Sequence, residues 1–138
     1  MKSFKLEIAN PEKVVVSEEV ESVVLPAVDG FLGILRNHVP ILGGLDIGVI
    51  RYRKEGKSHT IACNLGVFEM WENTLRVLAD TAERGEDIDV LRAQEARKRA
   101  ERRLQEKAQD LDYVRAELAL KRAIARLKAA AGEGKGRQ

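Results

Sequence analysis

The residues with the greatest chemical reach in this chain are its arginines, and their spacing is regular. Arg92, Arg99 and Arg103 lie seven and four residues apart, and Arg115, Arg122 and Arg126 repeat those intervals. On an α-helix each trio falls on one face. Rows of guanidinium groups suit pairing with acids, or holding an anion such as phosphate through charge-assisted forks. Arg92 has Asp89 and Glu95 at three residues' distance, and Arg99 has Glu95 at four, so both have acids on their own helix. Arg122 and Arg126 have only Leu118, Ala119, Ala123, Ala125, Ala129, Ala130 and each other at such distances. Uncompensated like charges four apart cost roughly 0.2–0.5 kcal/mol. An external anion or an acidic partner surface would reverse that sign. A solvated helix face remains the alternative on spacing alone.

Little else looks catalytic. His38 and His59 have no second histidine or cysteine at ligand spacing and read as ordinary surface or packing residues. Cys63 is the only cysteine, which excludes an internal disulfide framework and any multi-cysteine metal site. In a strand such a thiol packs as a small hydrophobe. Gly134-Lys135 has the ending of a phosphate loop, but Ala129 stands where the first glycine is required. No Ser/His/Asp arrangement is visible in the spacing.

The elements that must position the arginines follow from a change of texture. Residues 1–82 carry 9 basic and 11 acidic side chains, and residues 83–138 carry 15 and 11. Val, Ile, Gly and Thr are frequent in the first part, whereas Ala, Arg, Glu, Lys and Leu dominate the second, which has no Gly from Ile88 to Ala131. The boundary falls near Glu83–Asp87, around Gly85, and divides the chain into 1–84 and 85–138. In the first part, alternation predicts strands over Phe4–Ile8, Val20–Leu25, Ile47–Tyr52, Ser58–Cys63, Gly66–Met70 and Leu75–Ala79. Hairpin turns are expected at Lys54–Lys57 and Glu72-Asn73. Short strands at this spacing point to a sandwich or barrel.

In the second part, Asp87 is the expected N-cap of a helix to about Lys107, and Asp110 that of one to about Ala130. The short break between them folds the two back antiparallel, each about 30 Å long. Ala93, Ala96, Ala100, Leu104 and Ala108 would face Tyr113, Ala116, Leu120, Ala123, Ile124, Leu127 and Ala131. An alanine seam buries little area, so this hairpin should be marginal alone and depend on the β domain, a ligand or a partner. The tail from Gly132 is expected to be disordered.

The chain has 138 residues and a net charge of +2, which suits one domain or a small domain with an appendage and gives no field that argues for nucleic acid. No apolar run approaches the roughly 20 residues that span a membrane, and residues 1–7 lack a signal-peptide stretch, so a soluble, intracellular protein is expected. A basic-helix nucleic-acid-binding module is the main competing class. It is disfavoured by the 11 acids that accompany the 15 bases after residue 82 and by the lack of a recognition motif. An enzyme binding a phosphorylated substrate would need a base or nucleophile near the arginines, and the sequence offers none.

Ala82-Glu83-Arg84, Ile88-Asp89-Val90-Leu91-Arg92-Ala93, Arg99-Ala100-Glu101-Arg102-Arg103-Leu104 and Arg115-Ala116-Glu117-Leu118-Ala119-Leu120-Lys121-Arg122-Ala123 together resemble the epsilon-subunit family of bacterial F-type ATP synthases. Gly30-Phe31-Leu32-Gly33-Ile34-Leu35 and His38-Val39-Pro40 are similar to that family's loop. The likeness runs from about residue 4 to 128. It departs at Arg36-Asn37, where a Pro-Gly pair is common, and in the glycine-rich tail. It implies a ten-stranded β-sandwich followed by an antiparallel two-helix hairpin. It also implies a non-catalytic rotor subunit at the cytoplasmic face of the cell membrane, reaching the membrane only through its complex. Gly30, Phe31, Leu32 and His38 would contact the gamma subunit and the c-ring. When extended, the hairpin would block ATP hydrolysis, with Arg103 and Arg115 towards an acidic segment of the beta subunit. No cofactor is required, but ATP is implied as a regulatory ligand of the folded hairpin. By position its site would use Glu83 and Asp89 on the base or ribose side, Ile88 and Ala93 for apolar contact, and Arg92, Arg99, Arg122 and Arg126 beside them. Arg99, Arg122 and Arg126 would hold phosphates.

Overall fold

The computed structural model describes residues 2–106 and 109–132. Lys107, Ala108 and the tail beyond Gly132 lie outside the described residues, and with them the expected end of the first helix, one seam position and the expected disorder. Eight strands come first: β1 Phe4–Ala9, β2 Val14–Val20, β3 Ser22–Ala27, β4 Gly30–Ile34, β5 Ile41–Leu45, β6 Gly48–Lys54, β7 Lys57–Trp71 and β8 Thr74–Arg84. A single 3₁₀ turn, Gly85–Asp87, leads into helices α1 Val90–Gln105 and α2 Asp110–Ala130.

The strands pair in the order β2-β1-β8-β7-β5-β3-β4, and β6 bridges β3 and β7. All pairs are antiparallel except β1 with β8, where Leu6 lies opposite Leu75 and Ile8 opposite Val77. Strand β7 carries β6 beside its first half and β5 beside its second, with β8 along its other edge from Ile61 to Trp71. The sheet thereby rolls over one core containing Phe4, Leu6, Leu25, Ile50, Tyr52 and Phe68.

Among the described residues the sandwich shows eight strands, close to the expected ten. Ser58–Cys63 and Gly66–Met70 are one strand, interrupted only at Leu65, whose φ is 39°. Dividing β7 and β8 at that interruption would restore the expected number. The expected strand Val20–Leu25 straddles β2 and β3, and Pro26 continues β3 opposite Phe31 instead of ending it. Residues 30–34 form a strand, so the loop proper is shorter than the resemblance implied. Strand β8 runs past Ala82, pairing Ala62 with Glu83 and Ile61 with Arg84. Both tight hairpins occur where expected, with positive φ at both central residues: Glu55 and Gly56, then Glu72 and Asn73. That is the turn geometry whose twist matches paired strands.

The helix caps differ from expectation. Asp89, not Asp87, caps α1, and its carboxylate accepts the Arg92 backbone N–H at 3.1 Å. Asp87 is taken up by the 3₁₀ turn. The residue before α2 is Gln109, which makes no side-chain cap, and Asp110 lies in the first turn. There its negative charge still favours the positive helix end. Ala93, Ala100, Ala116 and Ala123 are buried along the seam, whereas Tyr113 and Ala131 are exposed.

Candidate functional site

The hairpin meets the sandwich through α2, and the fit is close at three places. The Thr60 hydroxyl donates to the Ala129 carbonyl at 2.7 Å. Lys121 pairs with Asp46 at 3.3 Å, and Arg126 Nε donates to Glu83 at 3.0 Å. Between them a second apolar cluster forms from Ile47, Val49, Ala62, Ile88, Ala93, Ala125 and Ala129. Gly85 sits against the end of α2, where a Cβ would strike the Ala129 carbonyl and the Thr60 hydroxyl. Its φ lies outside the left-handed region. Space is therefore what requires glycine there, not backbone freedom.

A cleft of about 260 Å³ opens beside this contact, lined by Ala62, Cys63, Asn64, Thr81 and Glu83 of the sandwich and by Arg122, Ala125 and Arg126 of α2. The fold thus brings Glu83, Arg122 and Arg126 together from two distant parts of the chain. It also explains how one of the two acid-poor arginines is compensated: Arg126 finds its acid on β8, beyond the reach of helix spacing. Arg122 is exposed and makes no ion pair among the described residues. Ile88 and Ala93 are buried in the junction cluster rather than lining the cleft. Arg92 and Arg99 are exposed on α1 and do not line it either. Asp89 has one carboxylate oxygen engaged in the α1 cap.

Arg103 and Arg115 are exposed on α1 and α2. Gly30 and Phe31 are exposed at the start of β4, and Leu32 is half-buried against the core. His38 is half-buried, and its Nδ1 donates to the Val39 carbonyl at 2.7 Å. His59 stacks on Tyr52 with ring centroids 5.0 Å apart. Cys63 is buried, and desolvation pushes its thiol up to about 12, so it is a poor nucleophile at neutral pH. The described residues contain no cluster of His, Cys, Asp and Glu able to hold a metal ion, and no helix among them is long and apolar enough to cross a membrane.

Sequence reasoning did not find a second arginine group. Arg84, the last residue of β8, donates to the Val15 carbonyl at 3.0 Å and the Tyr52 hydroxyl at 3.4 Å, and pairs with Glu18 at 3.5 Å. Glu18 in turn holds Lys54 at 3.0 Å. These partners lie on β2 and β6, far from Arg84 in the chain, so no spacing rule could reveal them.

Comparison with known proteins bears on both halves. Residues 3–85 match the family model of the ATP synthase delta/epsilon chain β-sandwich domain, and residues 86–131 match that of its long α-helix domain. An ATP synthase epsilon chain of Carboxydothermus hydrogenoformans is 52% identical over 73% of this chain and 75% of its own. One of Pelotomaculum thermopropionicum is 50% identical over 75% and 77%. Among solved structures, a chain of the Euglena gracilis mitochondrial ATP synthase (OSCP/F1/c-ring) shares the fold with a TM-score of 0.82 at 19% identity, over 95% of this chain and 82% of that one. On these matches, spanning the sandwich and the hairpin alike, the chain belongs to the ATP synthase delta/epsilon family and is an epsilon chain.

Proposed function

We propose that this chain is a non-catalytic part of the central rotor of a bacterial F-type ATP synthase, at the cytoplasmic face of the cell membrane. The sandwich docks on the gamma subunit and the c-ring through the region of Gly30, Phe31, Leu32 and His38. The hairpin restrains ATP hydrolysis when it extends, with Arg103 and Arg115 towards an acidic segment of the beta subunit. ATP binding holds the hairpin in the folded arrangement instead.

The observation that carries the nucleotide reading is Arg122. It lines a cleft beside Arg126 and has no acid of its own among the described residues. A phosphate entering there gains one uncommitted guanidinium and competes with the Glu83 carboxylate for the other. The sandwich side of this cleft faces Arg122 and Arg126 only while α2 lies on it. The ligand therefore favours the folded hairpin by its differential affinity for that state. At 100 times its dissociation constant the stabilisation is about 2.7 kcal/mol.

Calorimetric titration of the full chain with ATP tests this. Binding should weaken in Arg122→Ala, which removes a charge-assisted contact worth roughly 1.5–3 kcal/mol. Lysine at that position should recover only part, because it lacks the planar fork. Equal affinity in wild type and Arg122→Ala, or none at millimolar ATP, would assign the arginine rows to the beta subunit's acids. In the assembled complex, removing residues after Gly85 should raise ATP hydrolysis while assembly persists. Unchanged rates would leave coupling as the role of this chain.

A further inference from the structure

On the other flank of α2, across Ala125 from the arginine cleft, lies a larger cavity of about 740 Å³. That is within the range of about 300–1,000 Å³ typical of small-molecule sites. Its sandwich wall is apolar, formed by Pro26, Ala27, Ile47 and Val49, and its mouth carries Val28 and Phe31, 61% and 58% exposed. Its helix wall carries two lysines seven residues apart, Lys121 and Lys128, with Ile124 between them. Asp46 is the only acid of the lining among the described residues, and Lys121 takes it. Lys128 makes no ion pair among the described residues.

The cavity thus pairs an apolar floor and the exposed Val28 and Phe31 with one uncommitted ammonium. A nucleotide would leave most of its phosphate charge unmatched there. An apolar ligand without charge would gain nothing from Lys128. We propose that this cavity binds the monomer of a long-chain carboxylate, with the acyl chain along Pro26, Ile47 and Val49 and the carboxylate at Lys128 Nζ. Such a ligand touches the sandwich and α2 at once, so it binds only while the hairpin is folded back. It stabilises that state without nucleotide, and the inference does not rest on the nucleotide reading.

The test is calorimetric titration of the full chain with laurate below its micelle concentration, with dodecanol and acetate as probes of chain and charge alone. One laurate should bind per chain, at least tenfold more tightly than either probe, and saturating ATP should not displace it. Lys128→Ala should weaken laurate at least tenfold and leave dodecanol unchanged. Val28→Glu, at an exposed position that spares the core, should weaken laurate as well. Laurate that binds no better than dodecanol, that is indifferent to both substitutions, or that ATP displaces competitively would overturn the proposal. So would association seen only with anionic phospholipid vesicles, which would mark a membrane-facing surface instead.

Discussion

The two apolar clusters of this molecule are built from different residues. Inside the sandwich the fully buried side chains are large: Tyr52, Phe4, Leu6, Ile8, Leu25 and Ile50 among them. At the hairpin junction four of the seven members are alanines, Ala62, Ala93, Ala125 and Ala129. A methyl group removes far less area from water than a branched chain, at about 25 cal/mol per Å². The sandwich is therefore held by burial, and the hairpin by a thin seam plus a few directional contacts. Small side chains let α2 approach closely enough for the Thr60–Ala129 bond and for Gly85 to touch its end. An interface of that kind can open without unfolding the part it leaves.

The largest expected effect lies in the sandwich. Ile50→Ala, at a fully buried position, should cost about 2–5 kcal/mol in the main unfolding transition by loss of burial and by the cavity left behind. Denaturant melts followed through Trp71 would check it. A loss of a few tenths would mean that the β half is not the stable unit. A fragment ending at Arg84 should still unfold cooperatively. One ending at Ala82 should be weaker by roughly 1.5–3 kcal/mol, because it loses the hydrogen bonds of Arg84 to Val15, Tyr52 and Glu18. Equal melting of the two would show that the Arg84 group does not brace the strands.

Gly85→Ala should act on the other side of the comparison. The added Cβ has no room beside Ala129 and Thr60, an overpacking cost of about 1–3 kcal/mol. The whole cost should fall on hairpin docking, seen as faster hydrogen exchange in α2 with the sandwich melt unchanged. Exchange as slow as in wild type would mean that the hairpin relaxes around the methyl. Thr60→Val keeps the shape but removes the donor to Ala129, so a smaller loosening, about 0.5–1.5 kcal/mol, should appear in the same experiment.

How much was legible in the sequence follows the same division. The period-two runs over Phe4–Ile8 and Leu75–Ala79 register a core face directly, and both hairpin turns announce themselves through Glu55-Gly56 and Glu72-Asn73. Strands β4 and β5 give no such run, because Gly30, Gly33, Gly43 and Gly44 break the alternation. Gly43 is needed because the Phe68 ring fills the space of a side chain there, a cross-strand fact that local pattern cannot carry. On α2 the absence of helical acids around Arg122 and Arg126 was visible. The identity of Glu83 as the acid on Arg126 was not, since the pair spans 43 residues. Asp89 outcompeted Asp87 as the cap because the 3₁₀ turn at Gly85–Asp87 delays the start of α1 by a few residues.

The smallest effect concerns pH and belongs to the sandwich alone. Lys54 donates to the Glu18 carboxylate, and Arg84 adds a second cation, so Glu18 is held below its ordinary value of 4.5 despite partial desolvation. A depressed carboxylate contributes stability that is present above its unfolded pKa and is lost as pH falls through the folded value. Wild type should therefore lose stability progressively below about pH 4.5. Glu18→Gln cannot titrate and should start less stable at neutral pH, then decline less over the same acid window. Both curves can be followed by thermal melting between pH 3 and 7. Hairpin release cannot imitate this result, because Glu18 lies on β2 and its partners Lys54 and Arg84 lie on β6 and β8. Parallel curves for the two proteins would mean that the pair is solvated in the folded state, and that burial alone holds the sandwich.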